Sequence, residues 1–228
     1  MIAHSYNTGT VQIGALLSKE ARYNYLKAFG IGEKTGIELP FEEKGLLRDY
    51  RQWDRRTNYT TMFGQGYAVT PLQLAVVANI FGSRGVKHPP YIVDGIYDAD
   101  GSYKPTIAPK PTAVIDPETA KTVVNVMHET TKDGATGKAA RVPNYNVAGK
   151  TGTAEVINSA GGLEALNVTY IGLIPAENPR IAVAIMARTH GNNEGVSAAF
   201  SKIAQFAMRK MGVPPSTEPM IDYPWTGK

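Results

Sequence analysis

Apolar residues recur at intervals of three and four along four stretches of the chain, and this spacing predicts helices rather than strands. The stretches are residues 8–30, 70–82, 116–131 and 197–211. The first is long enough for two short helices joined by a turn. In the last helix the pattern predicts an inward-facing stripe of Ala198, Ile203, Phe206 and Ala207.

Residues suited to helix ends support two of these helices. Ser18 is a predicted N-cap within the first stretch, and Gly30 is the predicted C-cap at its end. In "TPLQLAVVANIFG", Thr70 can cap, Pro71 suits the first helical position, and Gln73 lies where a capping box requires it. Helix starts are therefore predicted close to residues 18 and 70.

Alternating or β-favouring runs predict strands elsewhere. "YIVDGIYDADGSYK" alternates around Asp100-Gly101, which predicts a peripheral hairpin. Three further strands are predicted at residues 145–156, 167–174 and 180–188. The order is helices, then a small antiparallel sheet, then one helix, so we expect an α+β fold with helices packed on the sheet.

The length of 228 residues favours one domain. We expect it to span residues 1–212, with a mostly helical lobe and hairpin in 1–135 and the sheet and C-terminal helix in 145–212. Residues 36–58 mix turn residues with charges and are predicted to be loop. Residues 213–228 are rich in proline and short polar side chains, which predicts a disordered tail.

Composition removes several classes of function. The 24 basic and 20 acidic residues are scattered and give a net charge of +4, so no nucleic-acid partner is expected. The chain has no cysteine, and its histidines lack metal-ligand spacing, so we expect neither a metal nor another cofactor. No apolar run approaches the ~20 residues of a membrane span and no leader pattern is present, so we expect this chain to carry no anchor or signal.

The stretch "NYNVAGKTGTAE" contains a Gly-Lys-Thr that occurs in phosphate-binding loops and also on strands. A phosphate-binding loop needs glycine where Asn144 stands, and it lies between a strand and a helix. Here Gly152 follows closely, and the surrounding valines and threonines favour extended backbone. We therefore interpret the stretch as a strand that carries Lys150-Thr151-Gly152.

A Lys-Thr-Gly strand becomes informative because Ser5-Tyr6-Asn7 precedes it. Serine β-lactamases and penicillin-binding proteins share S-x-x-K, S-D-N and K-T-G elements, and the second occurs here in S-x-N form, in the same order. With "TGIELP", "FGQGYAVTPLQLA" and "VAGKTGTAE", the chain resembles the transpeptidase domain of class B penicillin-binding proteins. The resemblance covers residues from about 4 to about 210.

The resemblance implies a five-stranded antiparallel sheet flanked by helices, beside a helical lobe. The family's N-terminal strands and its nucleophile helix have no counterpart in this sequence. The run from Ile181 to Arg188 is therefore expected to be an unpaired edge, with Ile181, Val183 and Ile185 poorly covered.

The resemblance also implies roles for individual residues. Lys150, Ser5 and Asn7 would be catalytic: Lys150 holds charge and assists proton movement by Ser5, while Asn7 orients a substrate amide. Considered without the resemblance, Ser5 and Asn7 could instead cap a helix that begins near Thr8.

Three residues of the strand are implied to bind substrate. The hydroxyls of Thr151 and Thr153 can both donate to a substrate carboxylate, because side chains two apart on a strand point to the same side. Gly152 allows the substrate backbone to lie close against the strand. The N–H of Thr153 would be one of the two oxyanion donors.

The family's nucleophile element is absent from the sequence. No lysine has serine, threonine or cysteine three residues before it. In the family S-x-x-K precedes S-x-N by some tens of residues, whereas only four residues precede Ser5. The chain thus resembles the C-terminal portion of a transpeptidase domain, and we expect it to be inactive alone.

The expected function is serine acyl transfer on the D-Ala-D-Ala ends of peptidoglycan stem peptides, with β-lactams as substrate mimics. Two alternatives stay open: a non-catalytic module that binds peptidoglycan or β-lactams, and a related β-lactamase or carboxypeptidase. The resemblance further implies a full-length membrane protein with this domain on the outer face. A glycosyltransferase and division proteins would be its partners.

Overall fold

Helices and short hairpins form the first part of the chain in the computed structural model, which describes residues 1–190 and 194–223. The helices are α1 (Asn7–Gly14), α2 (Lys19–Ala28), α3 (Arg55–Thr60) and α4 (Pro71–Gly82). Four short strands follow: β1 (Val86–Lys87), β2 (Gly95–Tyr97), β3 (Tyr103–Pro105) and β4 (Thr112–Ala113). β1 pairs with β4, and β2 pairs with β3 as the hairpin predicted around Asp100-Gly101.

The second part begins with helix α5 (Pro117–His128) and then forms the main sheet. Its strands are β5 (Ala148–Ile157), β6 (Leu163–Ile174) and β7 (Ile181–Thr189), followed by helix α6 (Glu194–Lys210). The three strands are antiparallel in the order β5-β6-β7, with Lys150 opposite Ile171. The predicted α+β architecture with helices packed on an antiparallel sheet is confirmed.

Helices cover both faces of the main sheet. On one face α6 packs against the buried ring of Tyr170, and on the other α4 and α5 pack around Leu173. The apolar α6 residues that are buried in this packing are Val196, Phe200, Ala204 and Met208. These clusters fix β5 and β6 from both sides, so the lysine strand rests on a packed core.

The predicted inward face of α6 is wrong for its two large residues. Ile203 is 48% exposed and Phe206 is 56% exposed. The buried residues recur every fourth position through Phe200, and at 100° per residue Ile203 and Phe206 lie roughly 60° and 120° away from Phe200. Both side chains therefore lie outside the stripe that meets the sheet.

Cap chemistry explains where the predicted helices begin. Ser18 Oγ accepts a hydrogen bond from the Ala21 N–H at 3.1 Å, and Thr70 with Gln73 forms the predicted capping box. The prediction of a loop at residues 36–58 is wrong at its C-terminal end. A 3₁₀ turn lies at Tyr50–Gln52, and α3 begins at Arg55 because Asp54 supplies an N-cap.

The C-terminal segment lies along the domain, in contrast to the disorder that its composition predicts. Ser216 donates its N–H to the Asn144 carbonyl at 3.0 Å, and the Asn146 N–H donates to Ser216 Oγ at 2.9 Å. Asp222 forms an ion pair with Lys132. These contacts order residues up to 223, and the predicted tail from 224 to 228 lies outside the described residues.

Strand β7 has one paired edge. Its residues pair with β6 from Ile181 opposite Ile174 to Thr189 opposite Leu166, and within residues 1–190 and 194–223 no strand pairs with its other edge. Ile181, Val183 and Ile185 are half-buried.

Within residues 1–190 and 194–223, no helix has the length and apolar character required to cross a bilayer.

We expect the purified chain to self-associate through this edge, because unpaired strand edges recruit other chains. Light scattering over a range of protein concentrations should show species larger than a monomer. Met186→Lys places a charge on an exposed part of β7 and should reduce the association. A monodisperse monomer that melts cooperatively would contradict the expectation.

Candidate active site

The Lys-Thr-Gly stretch lies on β5, whose outer edge is open to the N-terminal residues. The Val147 and Gly149 carbonyls point away from β6, because they accept hydrogen bonds from the His128 Nδ1–H at 2.8 Å and from the Thr130 hydroxyl at 2.8 Å. In an antiparallel strand this direction repeats at every second residue. The backbone groups of Thr151 and Thr153 therefore face the same open edge.

Lys150 reaches across this edge to Ser5. Its Nζ lies 2.8 Å from Ser5 Oγ, 2.8 Å from the Thr151 carbonyl oxygen and 3.3 Å from Thr151 Oγ1. Ser5 and Lys150 are separated by 145 positions in the sequence, so the fold brings the two predicted elements together. The strand interpretation of Gly-Lys-Thr is confirmed, and no helix follows as a phosphate-binding loop requires.

Burial makes Lys150 a weaker base than an ordinary lysine. Removal of water from around the ammonium lowers the pKa of Lys150 to about 8. The charged form predominates below that pH, and the neutral amine becomes abundant just above it. Lys150 can therefore either donate or accept a proton close to neutral pH.

The backbone around Ser5 directs its side chain to the site. Ser5 ends a 3₁₀ turn at Ile2–His4 and adopts left-handed angles, with φ 56° and ψ 43°. Helix α1 starts at Asn7 with Tyr6 as its N-cap and no side-chain cap hydrogen bond. The alternative that Ser5 and Asn7 cap this helix is therefore wrong.

The predicted site residues differ in their burial and in their hydrogen bonds. Thr151 is buried and hydrogen-bonded there, whereas Thr153 and Asn7 are exposed. Within the described residues no hydrogen bond joins the Asn7 side chain to Lys150. A Cβ atom on Gly152 would lie 2.3 Å from Thr169 Oγ1, so a side chain at this position would require the Thr169 hydroxyl to rotate away.

Thr136 is part of the site although no motif in the sequence marks it. Its N–H and its hydroxyl both donate to the Ala3 carbonyl oxygen, at 3.0 Å and 3.2 Å. Its Oγ1 accepts a hydrogen bond from Thr151 Oγ1 at 3.2 Å. Thr136 thus connects the Ser5 turn to the lysine strand.

The site offers no cluster for a metal. In the part of the chain that the structure describes, no three His, Asp or Glu side chains are grouped as metal ligands. The groups available for chemistry are Lys150 with its lowered pKa, the hydroxyls of Ser5, Thr136 and Thr151, and the backbone groups at the open edge of β5. That set suits acyl transfer with proton relay.

Comparison with known sequences identifies relatives over nearly the whole chain. The family described as penicillin binding protein transpeptidase domain matches residues 1–207. Penicillin-binding protein PbpB of Mycolicibacterium smegmatis is 34% identical over 230 residues, which cover 94% of this chain and 36% of that protein. The probable peptidoglycan D,D-transpeptidase PenA of Neisseria meningitidis is 32% identical over 222 residues, which cover 95% of this chain and 36% of that protein.

Solved structures share the same fold. Penicillin binding protein 3 of Mycobacterium tuberculosis in complex with ampicillin matches with a TM-score of 0.90 at 31% identity, over 96% of this chain and 52% of that one. A peptidoglycan synthetase of Bifidobacterium adolescentis matches with a TM-score of 0.86 at 34% identity, over 95% of this chain and 40% of that one. This chain spans about a third of the length of PbpB and PenA.

Proposed function

Because the chain belongs to the penicillin-binding protein transpeptidase family, we propose that it is the C-terminal portion of a peptidoglycan D,D-transpeptidase domain. Residues 1–212 form this partial domain. The reaction is serine acyl transfer on the D-Ala-D-Ala ends of stem peptides, and β-lactams are substrate mimics.

The contact between Lys150 and Ser5 carries the proposal. A lysine with a pKa near 8 and a serine hydroxyl 2.8 Å away form a pair that can move a proton to the amine that leaves during acylation. The position of the pair at an open strand edge places that exchange beside any peptide that binds there.

The open edge of β5 supplies the remaining groups. The N–H of Thr153 is directed outward and is proposed as an oxyanion donor, which would stabilise the charge that develops on the attacked carbonyl oxygen. The hydroxyls of Thr151 and Thr153 are proposed to bind the substrate carboxylate, and Asn7 to orient a substrate amide. Gly152 has no side chain, so the substrate backbone can approach this part of the strand closely.

The nucleophile itself is proposed to lie in an S-x-x-K element outside this sequence. That serine would attack the carbonyl of the penultimate D-Ala, expel the terminal D-Ala and form an ester. A second stem-peptide amine would then displace the serine. A full-length protein of this kind would be held in the membrane with this domain on the outer face, and would work with a glycosyltransferase and division proteins.

One observation favours a second candidate, a module that binds stem peptides or β-lactams without acylation. The sequence contains no serine, threonine or cysteine three residues before any lysine. The coding DNA immediately upstream of Met1 distinguishes the candidates. An in-frame S-x-x-K supports the transpeptidase, and a stop codon without one supports the module.

We expect the 228-residue chain to form no covalent adduct with a fluorescent penicillin, because it lacks the nucleophile element. Intact-mass spectrometry after incubation should show the parental mass. The same assay on a polypeptide extended upstream through S-x-x-K should show one added penicillin. A saturable adduct on the shorter chain would contradict the expectation and make Ser5 the first residue to test.

A further inference from the structure

The Thr136 hydroxyl belongs to a continuous chain of hydrogen bonds that runs from Lys150 to the Ala3 carbonyl. Lys150 Nζ donates to Thr151 Oγ1 at 3.3 Å, Thr151 Oγ1 donates to Thr136 Oγ1 at 3.2 Å, and Thr136 Oγ1 donates to the Ala3 carbonyl at 3.2 Å. We infer that Thr136 is a positioning residue that orients these hydrogen bonds, so that Ser5 is the side chain that exchanges a proton with Lys150.

The loop around Thr136 is anchored independently of the site. The Ala135 N–H donates to the Lys132 carbonyl at 3.1 Å, and the Gly137 N–H donates to the Thr130 carbonyl at 2.8 Å. A Cβ atom on Gly137 would lie 3.0 Å from the same carbonyl, so this loop follows the preceding turn closely. The backbone on both sides of Thr136 is therefore held by hydrogen bonds, although Thr136 itself is exposed.

The carbonyl at the end of the line sets its direction. A carbonyl oxygen only accepts, so the Thr136 hydroxyl hydrogen is directed to Ala3. The Thr136 oxygen then accepts from Thr151, and the Thr151 hydroxyl hydrogen is in turn committed to Thr136. Each hydroxyl has one hydrogen, so Thr151 can present only a lone pair to Lys150.

This direction determines what a neutral Lys150 can accept. The ammonium form has three N–H groups and three acceptors: Ser5 Oγ, the Thr151 carbonyl and Thr151 Oγ1. After one proton is lost, the nitrogen lone pair needs a donor. Both Thr151 oxygens are acceptors, so only the Ser5 hydroxyl can donate to it.

The inference rests on the proposed function, since it assigns the proton path within that site. It differs from a packing role because Thr136 is exposed and its hydroxyl contacts a carbonyl and another hydroxyl rather than the core. Replacing it should therefore leave the fold intact while it changes how strongly Ser5 and Lys150 interact.

The test is a double-mutant cycle in the 228-residue chain. The measured quantity is the protonation of Lys150, monitored by NMR of isotope-labelled lysine side chains. In the parental chain Ser5→Ala removes both an acceptor of the ammonium and the only donor to the neutral amine, so the two losses offset and the ratio of neutral to protonated Lys150 at pH 8 should change by less than about 1.5-fold. With Thr136→Val in place the Thr151 hydroxyl is free to donate to the neutral amine, so Ser5→Ala costs only the ammonium an interaction and should raise the ratio about threefold. Thr136→Ser, which keeps the hydroxyl, should restore the smaller effect.

Thr122→Val is the matched control, because the Thr122 hydroxyl donates to a helix carbonyl away from the site. It should leave the effect of Ser5→Ala unchanged. Thr136→Ala removes the same hydroxyl and replaces the valine variant if that variant does not fold. An equal effect of Ser5→Ala with and without the Thr136 hydroxyl would overturn the inference, as would a smaller effect in the Thr136→Val background.

The titration uses neither a β-lactam nor a nucleophile. A chain that shows the cycle as expected, but whose upstream extension is not acylated by penicillin, would therefore overturn the proposed function and retain the positioning role. The opposite pair of results would retain the function and overturn the role of Thr136.

Discussion

Lys150→Ala should slow acylation by a β-lactam by a factor of about 10² to 10³ in a polypeptide extended upstream through an S-x-x-K element. That range is typical of the loss of one electrostatic stabiliser from an active site. The alanine variant loses the cation at the open edge of β5 and the proton partner of Ser5. Stopped-flow mixing with a chromogenic β-lactam measures the rate.

Stability should change little in the same variant. The pKa of Lys150 is lowered because burial disfavours its charge, so removal of the ammonium also removes an unfavourable term. The melting temperature of Lys150→Ala should equal or slightly exceed that of the parent. A large loss of stability would mean that a slower rate reports damage to the fold.

Three further variants sharpen the interpretation. Lys150→Arg keeps the charge on a larger planar group that does not lose its proton, so partial activity is expected. Ser5→Ala should slow acylation less than Lys150→Ala if Ser5 only relays a proton. Lys202→Ala removes a lysine from the outer surface of α6 and should leave the rate unchanged. A parental rate for Lys150→Ala would remove β5 from the catalytic machinery.

The sequence predicts the Ser5–Lys150 pair because each residue belongs to a motif whose order along the chain is informative. It does not predict Thr136, which stands in "KDGATGK" with no chemical pattern around it. Its proposed positioning role depends on two distant contacts, to Ala3 and Thr151, and these exist only after the sheet and the N-terminal turn are assembled. Periodicity carries no information on such contacts.

The errors in α6 and in the C-terminal segment have the same origin. Hydrophobicity alone assigns Ile203 and Phe206 to the core, yet the sheet meets the stripe through Phe200 and leaves them exposed. The segment from Pro214 has a composition typical of disorder, but Asn144 and Asn146 bind it through backbone and side-chain hydrogen bonds. In both cases tertiary contacts override the local pattern.

Gly149→Ala should destabilise the chain by about 3 kcal/mol or more, the upper part of the range for overpacking in a core. A Cβ atom at this position would lie 2.1 Å from Tyr170 Oη, 2.5 Å from Tyr170 Cζ and 2.7 Å from the Ile171 carbonyl oxygen. The Tyr170 ring cannot move away easily, because it is fully buried against Phe200 with ring centroids 4.9 Å apart. Urea unfolding followed by circular dichroism measures the loss.

Tyr170→Phe separates the two causes of this clash. The Tyr170 hydroxyl is buried and has no hydrogen-bond partner among the described residues, so its removal alone should be neutral or stabilising by about 1 kcal/mol. In the phenylalanine background Gly149→Ala should cost less, because the nearest clashing atom is gone while Cζ remains.

Gly195→Ala is the control of opposite sign. Gly195 lies in α6 with no atom within 4 Å of the added Cβ, so alanine should leave stability unchanged or raise it by up to about 1 kcal/mol. An unfolding midpoint for Gly149→Ala equal to that of Gly195→Ala would show that the ring of Tyr170 does not require glycine before Lys150. A loss of stability confined to Gly149→Ala would instead show that glycine before Lys150 is required by the packing of Tyr170 rather than by a substrate.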